Sequence, residues 1–196
     1  MGPEALTLAL SRHAGASSDY DLNPEFAVPA GRVLRPAAVL VLVWDRPQGA
    51  VIMLTKRASH LQHHPGQIAF PGGKVDDADT GPEASALREA REEIGLPSDR
   101  VHVIGALPTH ETVTSFSVIP ILAHLTGDFA PVAEAGEVDE VFAVPLSYVA
   151  DITNYRIERR LWRGQWRRYY AVPYGPYYIW GATARILRGL ADRLQP

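Results

Sequence analysis

The clearest alternation of apolar and polar positions in the chain runs from residue 81 to 94. Leu87, Ala90 and Ile94 recur there at helical spacing with Ala84 at the margin, while Glu89, Glu92 and Glu93 gather on the opposite side. Its ends are signposted as well. Thr80 and Glu83 fit a capping box, Pro82 falls in the first turn where its missing donor costs little, and Gly95 stands where a helix can end in a left-handed residue. Upstream, 36–44 and 49–55 are continuous, Val-rich apolar runs separated by turn residues, which predict a pair of strands buried on both faces. Downstream, 101–107 and 116–123 read as strands, 127–136 as a loop, 146–151 as a short helix, and 155–162 with 166–172 as two strands joined around Gly164. A last helix is predicted from Tyr177 to about Leu194, packing through Ile186, Leu187, Leu190 and Leu194, with most of the aromatics at its start in the core. Leu6, Leu8 and Leu10 predict an N-terminal helix over 3–14, followed by a polar connector over 15–36.

Strands, a central helix and then more strands predict an α/β protein with a mixed sheet between helices. At 196 residues and 46% hydrophobic content, a single domain over 1–196 is the natural count, with 1–35 as N-terminal helix and connector. The chain has no cysteine, so no disulfide framework is expected, in keeping with a reducing compartment. The longest apolar run, 37–44, is far too short to span a bilayer, and the first residues lack the basic start of a signal peptide. A cytoplasmic protein, as monomer or homodimer and with no membrane partner, is the expectation. A formal charge of −3 supplies no global attraction to nucleic acid, which is not expected as a partner.

Chemistry concentrates on the central helix. Glu89 and Glu93 are a like-charge i, i+4 pair, worth a few tenths of a kcal/mol of repulsion, and Glu92 adjoins both. A solvated face is the ordinary explanation for glutamates on a helix, but Arg88 and Arg91 offset only part of this crowding. Carboxylates on a rigid element suit Mg²⁺, which takes oxygen ligands and bridges to substrate phosphates. Lys56 and Arg57, at the end of a predicted strand, could pair with phosphate, Arg57 through its bidentate fork; from spacing alone they are equally well solvated surface cations. His60, His63 and His64 match no zinc spacing. Six arginines between 156 and 168, interleaved with Tyr and Trp, look on their own like a platform for single-stranded nucleic acid, but alternating Arg also protects a sheet edge from pairing.

The stretch GGKVDDADTGPEASALREAREEIGL resembles the Nudix box, G-x5-E-x7-R-E-U-x-E-E-x-G-U with U aliphatic. Arg88, Glu89, Ala90, Glu92, Glu93, Gly95 and Leu96 match its second half position for position. In the first half Gly73 and Asp79 each sit one residue too far upstream, as after a one-residue insertion, which leaves open whether Asp79 does the work of the early glutamate. Just before the box, MLTKRASHLQHHPGQIAFPGG resembles the stretch LLTxR-S/A-x3-R-x3-G-x3-FPGG of the coenzyme A pyrophosphatase branch of that family. Leu54, Thr55, Arg57, Ala58, Gly66, Phe70, Pro71, Gly72 and Gly73 match, Met53 replaces a leucine, and Gln62 stands where arginine is more usual. The loop at 108–115 is also similar, with Ser115 where glycine is common, and so is the segment 177–184.

What the resemblance implies is a Nudix-type α/β/α sandwich whose loop-helix-loop motif, 72–96, hydrolyses a diphosphate anhydride with Mg²⁺ or Mn²⁺. It implies metal on Glu89, Glu92 and Glu93, with Arg88 orienting these glutamates. Glu137 would complete the metal site or position water, Glu140 being the weaker choice. Glu111 is a further loop carboxylate, and the general base stays open among Glu89, Glu111 and Glu137. Substrate contacts are expected from Lys56, Arg57, Phe70, Gly72 and Gly73, and the hairpin arginines could meet an extra phosphate or adenine. The implied substrate is coenzyme A or its thioesters, cut to 3′,5′-ADP and 4′-phosphopantetheine or its acyl form. ADP-ribose, NADH or another nucleoside diphosphate derivative is the alternative, and a non-catalytic nucleotide sensor on the same fold is the third.

Overall fold

Ten residues, Arg35–Trp44, form the central strand, and the unbroken apolar character of its last eight follows from its place between two cores. In the computed structural model, which describes residues 2–12 and 15–195, the elements are as follows. The first half of the chain gives α1 (Pro3–Ser11), β1 (Ser17–Ser18), β2 (Arg35–Trp44), β3 (Val51–Arg57), β4 (Ile68–Ala69), β5 (Gly72–Lys74) and α2 (Pro82–Ile94). The second half gives β6 (Val101–Ala106), β7 (His110–Glu111), β8 (Phe116–Leu125), β9 (Val138–Pro145), α3 (Leu146–Ala150), β10 (Arg156–Trp162), β11 (Gln165–Ala171) and α4 (Ala182–Leu194). Side chains alternate across a strand, so Val41 and Val43 of β2 enter a core with Leu54, Leu122, Leu187 and Leu190. Leu40, Leu42 and Trp44 enter the other, with Ala86, Ala90 and Ile94 of α2. A sheet covered on both faces by helices is the α/β architecture that the pattern predicts.

The principal sheet runs β1-β7-β8-β2-β3-β4, with β5 on β2, β6 on β8 and β9 on β3. The expected β2–β3 pair meets only at Val43↔Ile52 and Trp44↔Val51. The long partner of β2 is β8, parallel to it from Arg35↔Phe116 to Trp44↔Leu125, and β3 lies mainly on β9. A parallel pair needs a long crossover, and the crossover here carries α2, which places the acidic helix across the sheet.

Several local expectations change. The capping box does not form: Gly81 is the N-cap and no side chain caps the helix, so Thr80 falls outside the first turn. At the other end Gly95 is left-handed (φ 68°), and its N–H meets the carbonyls of Ala90 and Arg91, as expected. Helix α1 ends at Ser11, and residues 13 and 14 of its predicted span lie outside the described residues. The last helix starts at Ala182 rather than Tyr177, because Gly181 at φ 66° and ψ −137° interrupts the helical backbone. Residues 177–181 instead run extended, with Val172 N–H donating to Ile179 O and Gly181 N–H to Tyr170 O. Nor is the arginine-rich hairpin an edge of the main sheet; β10 and β11 form a sheet of their own, with Arg163 and Gly164 both at positive φ in its turn.

Ser115 takes φ 65° between β7 and β8, a left-handed conformation that strains any residue with a Cβ. Its N–H donates to Thr112 O and its carbonyl accepts from Arg35 N–H, so the turn is held despite the strain. Ser115→Gly should stabilise the fold by up to about 1 kcal/mol, the entropy of glycine cancelling part of the relief; an unchanged or lower Tm would show the strain to be absent.

Candidate active site

The acidic site forms where α2 crosses β5. Ala86, Ala90 and Ile94 are fully buried, and Glu93, two turns after Ala86, lies on the same line of the helix. The packing face is therefore centred nearer Ala86 than Leu87, and Glu93 belongs to it rather than to the solvated side: the residue is only 4% exposed. Its Oε2 accepts the Gly72 N–H at 3.2 Å. Contact demands a glycine at position 72, whereas at Gly73 a side chain would need only the flexible end of Glu89 to shift. A Cβ on Gly72 would stand 2.4 Å from Ala38 O at a backbone φ of 153°, and one on Gly73 would stand 2.5 Å from the Glu89 carboxyl. The strand that carries the two glycines is thus wedged between β2 and the helix, bringing the carboxylates against bare backbone.

Burial pushes the Glu93 carboxyl up to about 8; the Gly72 N–H and the charge of Arg57 oppose this, and Glu89 and Glu137 add to it. Glu89 is also raised, first by burial, with Arg88 pulling it back and Glu92 and Glu137 contributing. Glu89, Glu93 and Glu137 therefore lie within one another's fields. Glu137 is exposed at the start of β9, where its carbonyl accepts the Ala58 N–H next to Arg57. Phe70, expected to touch substrate, is instead buried in the core with Leu54 and Leu122, on the face of the sheet away from α2, while Lys56 and Arg57 are half-buried at the end of β3.

Arg88 organises the outer side. Its Nη1 donates to Glu89 Oε1 at 3.0 Å and to Glu92 Oε2 at 3.1 Å, and its Nε and Nη2 form a two-pronged pair with Asp79 at 3.0 Å each. The Arg88 hydrogen bonds hold the Asp79 carboxyl down to about 2, helped by the Asp76 N–H. Asp79 thus grips the arginine of the helix from the preceding loop.

Not every expected residue reaches this cluster. Glu92 is turned to solvent and bonded to Arg88. Glu111 is on β7, bonded to Arg32 Nη2 at 2.7 Å. Glu140 accepts from the Tyr177 hydroxyl, whose ring stacks on Phe142 at 3.6 Å. Among the described residues no three His, Asp or Glu side chains form a closed ligand set as they stand. Yet the donor chemistry fits a hard divalent cation: Glu89 and Glu93 are desolvated, mutually repelling oxygen donors, and both feel the charge of Glu137. Glu92 would join them only by leaving Arg88. Sequence reasoning missed Arg32, which secures Glu111, and the buried His110, which joins Ser17 at 3.0 Å and Asp19 at 3.2 Å. Both partnerships span more than seventy residues, and no local pattern carries them.

A glycine-lined strand under a carboxylate-bearing helix, on a mixed sheet between helices, defines a fold class that the comparisons identify. The NUDIX domain model matches residues 34–163, and the chain belongs to the Nudix family. It is 43% identical over 157 residues to the uncharacterized Nudix hydrolase NudL of Escherichia coli O7:K1, covering 80% of this chain and 81% of that one. It is 44% identical over 160 residues to the protein of the same name in Enterobacter sp. strain 638, with the same coverage. Among solved structures, the Nudix hydrolase RenU of M. smegmatis aligns with a TM-score of 0.51 at 25% identity, covering 63% of this chain and 84% of that one. The protein is accordingly a Nudix hydrolase, a class that acts on pyrophosphate-containing substrates and generally uses divalent ions such as Mg²⁺ or Mn²⁺. Among the described residues no helix is long and apolar enough to cross a membrane.

The buried carboxyl generates a pH prediction. Between the ordinary value of 4.5 and about 8 the folded protein keeps a proton on Glu93 that the unfolded chain has released, so metal-free stability falls as pH rises through that window. Glu93→Gln should raise the Tm in chelator by roughly 5 °C at pH 8.5 and by little at pH 4.5; a constant difference across pH would contradict this. Asp79→Asn, which weakens the grip on Arg88, should lower kcat/KM by about 10-fold or more with Mn²⁺ affinity unchanged. A matching loss of Mn²⁺ affinity would make Asp79 a ligand instead.

Proposed function

We propose that the protein hydrolyses the pyrophosphate bond of coenzyme A or its thioesters, giving 3′,5′-ADP and 4′-phosphopantetheine or its acyl form. The observation that carries this reading is the convergence of two stretches. The segment 53–73, which resembles the coenzyme A branch, ends in the glycines packed against Glu89 and Glu93, and its Arg57 stands in the field of Glu93.

Glu89 and Glu93, with Glu92 once released from Arg88, would hold Mg²⁺ or Mn²⁺. The bound cation supplies charge neutralisation of the diphosphate and acidifies water. Arg57 and Lys56 meet the diphosphate oxygens from the end of β3, Arg57 by its two-pronged fork. The backbone of Gly72 and Gly73 meets substrate beside the carboxylates, the missing Cβ atoms making room for β2 and Glu89, and Phe70 supports that turn from within the core. Glu137, exposed and with its charge felt by Glu89 and Glu93, takes the proton from the attacking water. One P–O bond of the anhydride breaks as the new one forms, and the bridging oxygen leaves on the second phosphate. Arg88 and Asp79 act as positioning residues. The whole chain serves as one Nudix domain, with 1–35 as its N-terminal strap.

A second reading, an ADP-ribose or NADH pyrophosphatase, is favoured by one residue: Gln62, exposed in the loop after β3, stands where the coenzyme A pattern more often has arginine. Side-by-side turnover of coenzyme A, an acyl-coenzyme A, ADP-ribose and NADH with Mg²⁺ or Mn²⁺ separates the two. The coenzyme A compounds should give the highest kcat/KM, with 3′,5′-ADP among the products, and ¹⁸O from labelled water marks the phosphorus attacked. Higher kcat/KM for ADP-ribose would overturn the first reading.

A further inference from the structure

A cavity of about 480 Å³ opens between the β10–β11 hairpin, the start of α4 and the loop at 64–67, within the size range of small-molecule sites. No residue of the box, 72–96, lines it. Much of its wall comes from the N-terminal connector and from residues beyond 163, outside the part of the chain that the family model matches.

The hairpin register sets Arg160 directly opposite Arg167, and both line this cavity. Like charges directly opposite on a strand pair are destabilising, and among the described residues neither guanidinium has an ion pair with an acid. Glu25, whose carboxylate feels Arg167 at a distance, is bonded to Arg168. Arg167 is held instead by aromatic faces: Tyr20, Phe26 and Trp162 surround its guanidinium at 5.2, 4.7 and 5.1 Å. Its Nε and Nη1 are inaccessible to solvent and lack any hydrogen-bond partner. Arg160 lies over Trp180 at 4.8 Å. The rings fix both guanidinium groups without neutralising them.

Two further features of the same wall have a bearing on charge. Gly181 and Ala182, the uncapped start of the thirteen-residue α4, bring the positive end of a helix dipole to the cavity. The one carboxylate in the wall, Asp19, is already committed, through Oδ1 to His110 Nε2 at 3.2 Å and through Oδ2 to the Val113 N–H at 2.8 Å. Fixed cations, a helix start and indole faces together suit a phosphate carried on a nucleoside. The cavity also lies beside the chemistry. Gln67 in its wall accepts the backbone N–H of Arg57 at 3.0 Å, so it stands one strand spacing, about 4.8 Å, from the residue that faces Glu93.

We infer that this cavity is a specificity subsite for a phosphomonoester on the nucleoside half of the substrate, bound by Arg160 and the first turn of α4, with Arg167 contributing its charge. The choice of substrate rests on the coenzyme A reading above, whose ribose carries such a phosphate; the subsite itself can be read without turnover.

The test uses the full chain and two probes, 3′,5′-ADP and 5′-AMP, followed by quenching of Trp162 and Trp180 fluorescence. The parent should bind 3′,5′-ADP about tenfold or more tightly than 5′-AMP, as expected for charge-assisted hydrogen bonds to the added phosphate. Arg160→Gln should remove that preference by weakening 3′,5′-ADP about tenfold or more. Because Arg167 also holds three rings together, Arg167→Lys is compared only where its Tm matches the parent. Equal affinity of the parent for the two probes, or a preference that survives Arg160→Gln, would overturn the subsite. Turnover separates this from the function: if 3′,5′-ADP is preferred but coenzyme A is not cleaved, the subsite stands and the coenzyme A reading falls. If coenzyme A and its form lacking the ribose phosphate are cleaved equally and the probes bind equally, the subsite falls and the coenzyme A reading stands.

Discussion

Burial of the Glu93 carboxylate against the Gly72 amide is the contact from which the geometry of the site follows. For it to exist, α2 must approach the sheet closely, and small side chains on both sides permit this: Ala86 and Ala90 on the helix, Ala38 on β2. The strand between them must be nearly bare, and it is, since a Cβ at either glycine would collide with β2 or with Glu89. A charged group desolvated in this way is costly unless a cation or a proton compensates it. The folded chain stores that cost where α2 crosses the glycine strand.

Around this centre the charges divide by depth. Glu89 and Glu93 are raised by burial, whereas Asp79 is lowered by Arg88, although fewer than twenty residues separate them in the chain. One arginine marks the boundary, bonding Asp79 on the loop side and Glu89 with Glu92 on the helix side.

The regions flanking the shared domain are built in a different way. The N-terminal connector is tied to the sheet by the parallel pairing of β1 with β7 and by the contacts of His110 with Ser17 and Asp19. Asn23 bridges the connector to the hairpin, its side chain bonding both the N–H and the carbonyl of Arg168. Arginines packed on aromatic rings then take the place of a conventional apolar core in the hairpin. Ile157, Leu161 and Trp166 remain exposed on its outer face.

The sequence alone determined what depends on neighbours a few residues apart. The extent of the acidic helix, its left-handed end at Gly95, the double-sided burial of 36–44 and the hairpin around Gly164 all follow from helical or strand periodicity and from turn chemistry. The crowding of three glutamates was equally legible, because spacing on a helix is a local property. Tertiary structure decided which of those glutamates is buried, since the depth of Glu93 depends on how α2 is rotated against Ala38 and Gly72. It also gave Glu111 and Glu140 partners of their own in Arg32 and Tyr177. The parallel pairing of β2 with β8 and the facing of Arg167 toward Tyr20 and Phe26 were likewise hidden, because such contacts join segments far apart in the chain, and local propensity carries no record of which distant surface a side chain will meet.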